Sequence, residues 1–464
     1  MAEPDLIVIG GGSAGLVAAG TAARLGARVT LVEADRLGGD CTWTGCVPSK
    51  ALIHTATVAR QSRIGPWTSD TEIDASVAMA HVKRAIASVY ARETPEELSK
   101  KGVEVLAGAG RFRDSRTLEL DGRVLSAPRF LICTGATPSA PPLVGLEDAG
   151  YLTYLTVFAL ERPPASLIVL GGGAVGVEVA QALSRLGSKV SLVEQAERLV
   201  PTADPEASDL IAGVLAEEGI ELHLGTEVDR VHRRGGSVVL EAGGRVLEAD
   251  QLLVATGRGP WTDGLGLERA GVALDRGAIR VDSRLRTSAA GIFAAGDVTG
   301  GLQFTHYAGW QGYAAARNAL LPGAVDGVRS GLPWVIFTDP AIGQVGQNLA
   351  EAREHHPQAI EHRIGLDRVD RAQADGTSTG FLKLVSDGGE KLLGASVVSP
   401  QAGELINELS LAIEMGAGIG DLARTIHVYP TYGFAIQELA AGVTFGRATA
   451  GWKGALLRWL IGRL

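Results

Sequence analysis

The chain contains a duplication, and that constrains its fold more than anything else in it. Ile7-Val-Ile-Gly10-Gly-Gly12-Ser-Ala-Gly15 returns as Ile168-Val-Leu-Gly171-Gly-Gly173-Ala-Val-Gly176. The likeness runs on through Arg24-Leu-Gly26 and Arg185-Leu-Gly187 to Val29-Thr-Leu-Val-Glu33 and Val190-Ser-Leu-Val-Glu194, with the offset held at 161 residues. Each copy reads as strand, glycine turn, helix, strand. The strands are continuous apolar runs, which fit a parallel sheet covered on both faces. The first glycine makes the tight turn, the second lets backbone approach a diphosphate, and the third lets helix pack on strand. The diphosphate then sits at a helix N-terminus, where free N–H groups and the helix dipole favour negative charge. Glu33 and Glu194 stand where an acid binds ribose hydroxyls. One such fingerprint is weak evidence, but two in matching context predict two Rossmann-like dinucleotide-binding folds in an α/β chain. Glu194 would repel a 2′-phosphate, which favours NAD over NADP, with Arg198 nearby in sequence as the opposing feature.

Two further segments read as returns to these sheets. Leu131-Ile-Cys-Thr134-Gly135 and Leu253-Val-Ala-Thr256-Gly257 each place Thr-Gly at a strand end, and Phe293-Ala-Ala-Gly296-Asp297 follows. Each could be an ordinary turn. Beyond about residue 335 the pattern changes. Thr377–Val385 and Leu392–Val398 alternate like antiparallel strands, and Glu404–Gly416 has helical periodicity, which predicts a separate α+β domain. Expected boundaries are 1–150 for the first nucleotide domain, 151–268 for the second, 269–335 for a central segment, 336–450 for the C-terminal domain and 451–464 for a helical tail.

A length of 464 residues suggests about three domains. A net charge of −9 without a basic block argues against nucleic acid as a partner. No apolar run is long enough to span a bilayer. The first strand begins by Asp5, which leaves no room for a signal peptide, so a cytoplasmic location is expected. Three cysteines do not make a secreted disulfide framework. Cys133 ends an apolar run and reads as a buried core thiol.

The other two cysteines lie in Gly38-Gly39-Asp40-Cys41-Thr-Trp-Thr-Gly45-Cys46-Val-Pro48-Ser49-Lys50. Residues five apart in an ideal helix have Cα atoms roughly 8–9 Å apart, and a disulfide needs less than about 7 Å. If Cys41 and Cys46 are bridged, the backbone near Cys41 is therefore not regular helix. The nearby glycines supply the freedom required. A zinc site would need more ligands than His54 offers. Two unrelated buried thiols are the remaining alternative.

With these motifs, from Leu6 to about Ala440, the chain closely resembles the flavin-dependent pyridine nucleotide–disulfide oxidoreductases. The resemblance implies that Gly10, Gly12, Gly15, Glu33, Gly39, Lys50, Thr134, Gly135 and Asp297 hold FAD. It implies that Gly171, Gly173, Gly176, Glu178, Glu194 and Gly257 hold NAD(H). Cys46 would be the charge-transfer thiol against the flavin and Cys41 the interchange thiol. Lys50 would lie beside the flavin, paired with Glu178. Phe337–Gly346 looks like the start of the interface domain that builds a homodimer. No resident metal is expected.

The chain departs from the pattern near its C-terminus. Disulfide-reducing members carry His-Pro-Thr-x-x-Glu, whose histidine serves the partner's interchange thiol as acid/base. Here Tyr429 precedes Pro430 and Phe434 stands at the glutamate position, with His427 two residues early. A phenol with a pKa near about 10 is a poor base at neutral pH. Tyrosine at this turn resembles mercuric reductases, yet no cysteine follows Cys133. The expectation is an NADH-dependent flavoenzyme with Cys41, Cys46, Lys50, Glu178 and Tyr429 at its working site. Its acceptor would be a metal ion, quinone, oxygen or unusual disulfide. Dihydrolipoyl dehydrogenase, a mercuric-reductase-like metal reductase and a flavin-bound redox sensor are the alternatives. The tail 452–464 is apolar with scattered cations; a helix packed on the dimer is preferred over one lying on a membrane surface.

Overall fold

The computed structural model describes residues 3–64 and 74–461. It divides into two compact units, one of residues 1–197 and 218–329, the other of 198–217 and 330–464.

The first unit holds both nucleotide folds. One parallel sheet has the strand order Ile292–Ala294, Phe130–Ile132, Leu6–Ile9, Val29–Glu33, Val103–Ala107. The other runs Glu221–His223, Lys189–Val193, Ser166–Leu170, Gln251–Val254, also parallel. Leu6, Ile7 and Val8 are wholly buried, as are Leu167 and Val169, so these runs are apolar because both sheet faces are covered. In each sheet the glycine turn leaves the carboxyl end of an interior strand flanked on both sides, where ligands bind in open α/β sheets.

The helix of the first turn, Ser13–Arg24, packs on Thr305–Leu320. Small residues make the approach possible: a Cβ added at Gly312 would lie 2.2 Å from the Ala14 carbonyl oxygen. That packing brings Thr305, the first residue of its helix, toward the glycine turn. Cys133 is in the same core, and burial pushes its thiol pKa up.

The second unit is α+β. Its antiparallel sheet has the order Trp334–Ile336, Ala341–Gly346, Leu392–Ser399, Phe381–Ser386, Ile360–Gly365, with helix Ala402–Glu414 packed on it. Phe381–Ser386 and Leu392–Ser399 are buried along their whole length, including Lys383 and four serine or glycine positions between them, so the apparent alternation does not mark a wet face. The Lys383 ammonium is satisfied by Asp204 at 3.0 and 3.1 Å, Glu206 at 3.0 Å and Glu361 at 3.3 Å. This buried charge ties 198–217 to the C-terminal unit, although that segment lies in sequence within the second nucleotide fold. Gly451–Ile461 is helical, and the tail's last three positions, 462–464, lie outside the described residues. Among the described residues no helix is long and apolar enough to cross a membrane.

Candidate active site

The two glycine turns form matching cradles. Gly10 and Gly171 have φ of +100° and +110°, a conformation that side chains resist. A Cβ at Gly15 would lie 1.8 Å from the Gly10 carbonyl oxygen, and one at Gly176 would lie 1.9 Å from that of Gly171. Helices Ser13–Arg24 and Ala174–Arg185 start at Gly12 and Gly173 with no side-chain cap, which leaves first-turn N–H groups for an anion. Glu33 and Glu194 are fixed beside them. Glu33 accepts from Gly11 N at 2.5 Å and Asp35 N at 2.8 Å; Glu194 accepts from Gly172 N at 2.6 Å and Ala196 N at 2.7 Å.

The cradles differ in what covers them. A Cβ at Gly173 would meet nothing within 4 Å, whereas Gly12 faces the Cα of Gly39. Gly39 has φ of +54°, and a Cβ there would come within 2.7 Å of Gly12 Cα. The cysteine segment therefore rests on the first cradle, which explains two glycines just before it.

The helix breaks between the cysteines. Cys41 lies in the short helix Gly39–Trp43, and Cys46 opens the long helix Cys46–Ile64. Gly45 turns so closely that a Cβ would sit 2.8 Å from the Asp40 carbonyl oxygen. The pair is in the dithiol form. Its proton affinities are split. The hydrogen bond from Cys41 draws the Cys46 thiol down to about 6; burial opposes this, the Thr305 hydroxyl and Lys50 assist it, and Glu178 opposes it. Cys41 moves upward, first because it gives that bond, then because it is buried beside a charge on Cys46. The helix N-terminus at Cys46 favours a thiolate in the same sense. One turn along, Lys50 Nζ donates to Glu178 Oε2 at 2.8 Å, so this ion pair joins the cysteine helix to the helix of the second cradle.

Several partners of this site carry no local sequence signal. Thr305 Oγ1 lies 3.1 Å from Cys46 Sγ. Arg258 donates to Asp40 Oδ2 and pairs with Asp297 Oδ2 at 3.0 Å. Tyr154 donates to Asp40 at 3.1 Å and lies under the Arg258 guanidinium. Burial raises the Asp297 pKa, with Arg258 pulling the other way. The Thr-Gly returns lock each other. Thr134 donates to Trp261 O at 2.7 Å and Thr256 to Ser139 O at 2.8 Å, across the ribbon of Ala136–Pro138 and Arg258–Pro260. Gly135 and Gly257 have positive φ and open space on their Cβ side.

These residues fit a dinucleotide in each cradle. Besides the uncapped helix starts, the buried Arg258 Nε beside Asp297 has no hydrogen-bond partner among the described residues.

In the C-terminal unit, Tyr429 is 61% exposed and its hydroxyl donates to Asp370 Oδ2 at 2.8 Å. That bond pushes its pKa up. His427 is half-buried, with Nε2 2.7 Å from Glu408 Oε1 and Nδ1 3.0 Å from the Thr425 carbonyl, so both ring nitrogens are engaged.

The model of the family "Pyridine nucleotide-disulphide oxidoreductase" matches residues 4–312, and the model of its dimerisation domain matches 332–440. A mercuric reductase of Bacillus cereus is 37% identical over 92% of this chain and 69% of its own length. A dihydrolipoyl dehydrogenase of Thermus scotoductus is 38% identical over 94% of this chain and 96% of its own. Among solved structures, the HOCl-induced flavoprotein disulfide reductase RclA of Escherichia coli, as a Cu(II) complex, superposes with TM-score 0.85 at 29% identity, covering 96% of this chain and all of that one. LpdA of Mycobacterium tuberculosis superposes with TM-score 0.87 at 32% identity, covering 94% and 99%. The two cradles, the cysteine pair between them and the C-terminal sheet domain agree with these matches: the chain belongs to the FAD-dependent pyridine nucleotide–disulphide oxidoreductases.

Proposed function

We propose that this enzyme is an NADH-preferring reductase that delivers electrons through Cys41 and Cys46 to a small acceptor, foremost a thiophilic metal ion. The observation that carries the reading is the placement of the pair: Cys46 opens its helix with Sγ 3.1 Å from Thr305 Oγ1, and Lys50 stands one turn along, paired with Glu178. Cys46, drawn down to about 6, is a thiolate at neutral pH, while Cys41 keeps its proton. When bound, FAD supplies hydride uptake from the nicotinamide and two-electron transfer onward. Lys50 favours the Cys46 thiolate, and Glu178 holds Lys50 in place. Cys41 is then the thiol that meets the acceptor. Glu194 favours NADH because its carboxylate would repel a 2′-phosphate.

A metal ion needs no proton from a general acid, which suits a chain with Tyr429 and Phe434 where a His–Glu pair would stand. The mercuric reductase relatives and the Cu(II) complex of RclA support the same class. The acceptor would have to be met by Cys41 and Cys46 themselves. Dihydrolipoyl dehydrogenase is the second reading, favoured by the Thermus scotoductus relative and by the His427–Glu408 pair. Against it, both ring nitrogens of His427 are already bonded.

The deciding experiment mixes purified holoenzyme anaerobically with NADH, then with Hg(II), Cu(II), a quinone or oxidised lipoamide. Turnover with a metal ion that falls to background in Cys41→Ser, while NADH still bleaches the flavin, is the expected result. Rapid lipoamide turnover with no metal-dependent NADH oxidation would replace this reading with the second.

A further inference from the structure

We propose that Arg258 is a positioning residue for the thiol pair: through Asp40 it clamps the turn that carries Cys41, while its other amino group holds Asp297. The proposal rests on the redox role of Cys41 and Cys46.

The clamp is built from chain segments remote in sequence. Arg258 opens the short strand Arg258–Pro260, which is itself paired with Ala136–Pro138. Its guanidinium is one-fifth exposed and reaches two carboxylates at once, Asp40 and Asp297. Charge-assisted bonds of this kind are about twice as strong as neutral ones. Tyr154, itself buried, donates to the same Asp40 oxygen and lies under the guanidinium. Asp40 is thus fixed on its side chain. It is fixed on its backbone too, since its carbonyl accepts from Thr44 N at 2.9 Å and lies against Gly45. Asp40 and Gly45 are the residues immediately before the two cysteines. Holding Asp40 therefore holds the closed turn that sets Cys41 beside Cys46. Neighbouring residues in a helix do not face each other, so Asp40 acts on Cys41 through the turn, not as its proton acceptor.

The consequence is a redox one. On oxidation the two thiols lose two electrons and two protons and form an S–S bond. In a glutathione buffer the S–S bond of oxidised glutathione takes them up and becomes two thiols. A clamped turn has little ordering left to lose on closure, so Arg258 and Asp40 favour the disulfide.

The test equilibrates the FAD-loaded protein with glutathione buffers of graded ratio and counts free thiols by alkylation and mass. Asp40→Asn and Arg258→Gln are each expected to need a buffer about tenfold more oxidising for half-conversion, the size of one charge-assisted bond. Tyr154→Phe should shift the midpoint in the same direction by less. The Asp40→Asn/Arg258→Gln double variant should shift by less than the sum of the two single shifts, because both remove the Arg258–Asp40 bond. Midpoints of both single variants within twofold of wild type overturn the clamp and leave the redox role of the cysteines standing. Additive shifts also overturn it. If wild type forms no Cys41–Cys46 disulfide at any ratio, both the clamp and the redox reading fall.

Discussion

Tyr429 and Phe434 meet edge to face, with ring centroids 5.4 Å apart and planes at 80°. They occupy the two positions at which the His-Pro-Thr-x-x-Glu pattern implied by the family likeness would have its histidine and glutamate. An aromatic contact of this geometry is worth about 0.5–1.5 kcal/mol beyond burial. It can hold the turn but cannot move a proton. The hydroxyl of Tyr429 donates to Asp370, and that bond raises its pKa. The phenol is therefore a neutral donor across the physiological range. Acceptor turnover is expected to show no ionisation belonging to Tyr429 below about pH 10. Superimposable pH–rate profiles for wild type and Tyr429→Phe would bear this out; a limb between about pH 6 and 9 that disappears in the variant would refute it.

A second prediction concerns the thiolate. In the reduced protein, thiolate absorbance in the ultraviolet should rise with a midpoint near 6 and vanish in Cys46→Ser. Below that midpoint Cys46 gains a proton and turnover should fall. The leading cause of the depression is the bond from the Cys41 thiol. A hydroxyl donates as well as a thiol, so Cys41→Ala is the sharper variant, and an upward shift is expected. An unmoved midpoint in Cys41→Ala would remove the thiol–thiolate bond from the account.

Lys50 and Glu178 should act on that midpoint in opposite directions. Lys50 lowers the Cys46 pKa and Glu178 raises it, although the two form one ion pair. Lys50→Met should move the midpoint up and leave Glu178 buried without its cation. Glu178→Gln, which keeps a hydrogen-bond acceptor for Lys50, should move it down. Shifts of the same sign in both variants would mean that the pair acts only by holding the two helices together.

How much of this was legible in the sequence depends on distance along the chain. The cradles, the ribose acids and the cysteine pair are written within a few tens of residues, and their glycines state their own geometric reasons. Lys50 and Glu178 were legible through family likeness, each attached to a motif. Thr305 and Cys46 are 259 positions apart, and Asp40 and Arg258 are 218 apart. Neither pair has a spacing or a periodicity that local pattern can detect. The placing of 198–217 with the C-terminal sheet has the same cause: Lys383 looks like a solvent-facing residue of an alternating strand until three carboxylates are found around it. The family likeness implied that Asp297 holds FAD, and the fold adds that Arg258 is paired with it.

Packing of the two helices behind the first cradle makes a stability prediction. Gly312→Ala would place a methyl 2.2 Å from the Ala14 carbonyl oxygen, backbone that cannot turn aside as a side chain could. Separation of the helices should cost about 1–3 kcal/mol. Because Thr305, whose hydroxyl lies 3.1 Å from Cys46 Sγ, starts one of these helices, the variant should also weaken the grip on Cys46. Thermal unfolding together with the Cys46 titration checks both. A variant as stable as wild type would show that the helices can part at no cost.

The last prediction concerns the choice of nicotinamide cofactor. Glu194 directly follows its strand, with both carboxylate oxygens taken by the backbone amides of Gly172 and Ala196. The acid is thus fixed in place rather than free to swing away from a bound ribose. A 2′-phosphate would bring about −1.5 to −2 charges toward it, by analogy with a phosphorylated hydroxyl. Glu194→Gln keeps an oxygen for one amide and removes the charge. The ratio of kcat/KM for NADH to that for NADPH should fall by about tenfold, the effect of about 1.4 kcal/mol of relieved repulsion. Most of the change should lie in KM for NADPH, because the site of hydride transfer is untouched. An unchanged ratio would mean that Glu194 does not face the 2′ position, and the preference for NADH would then need another source.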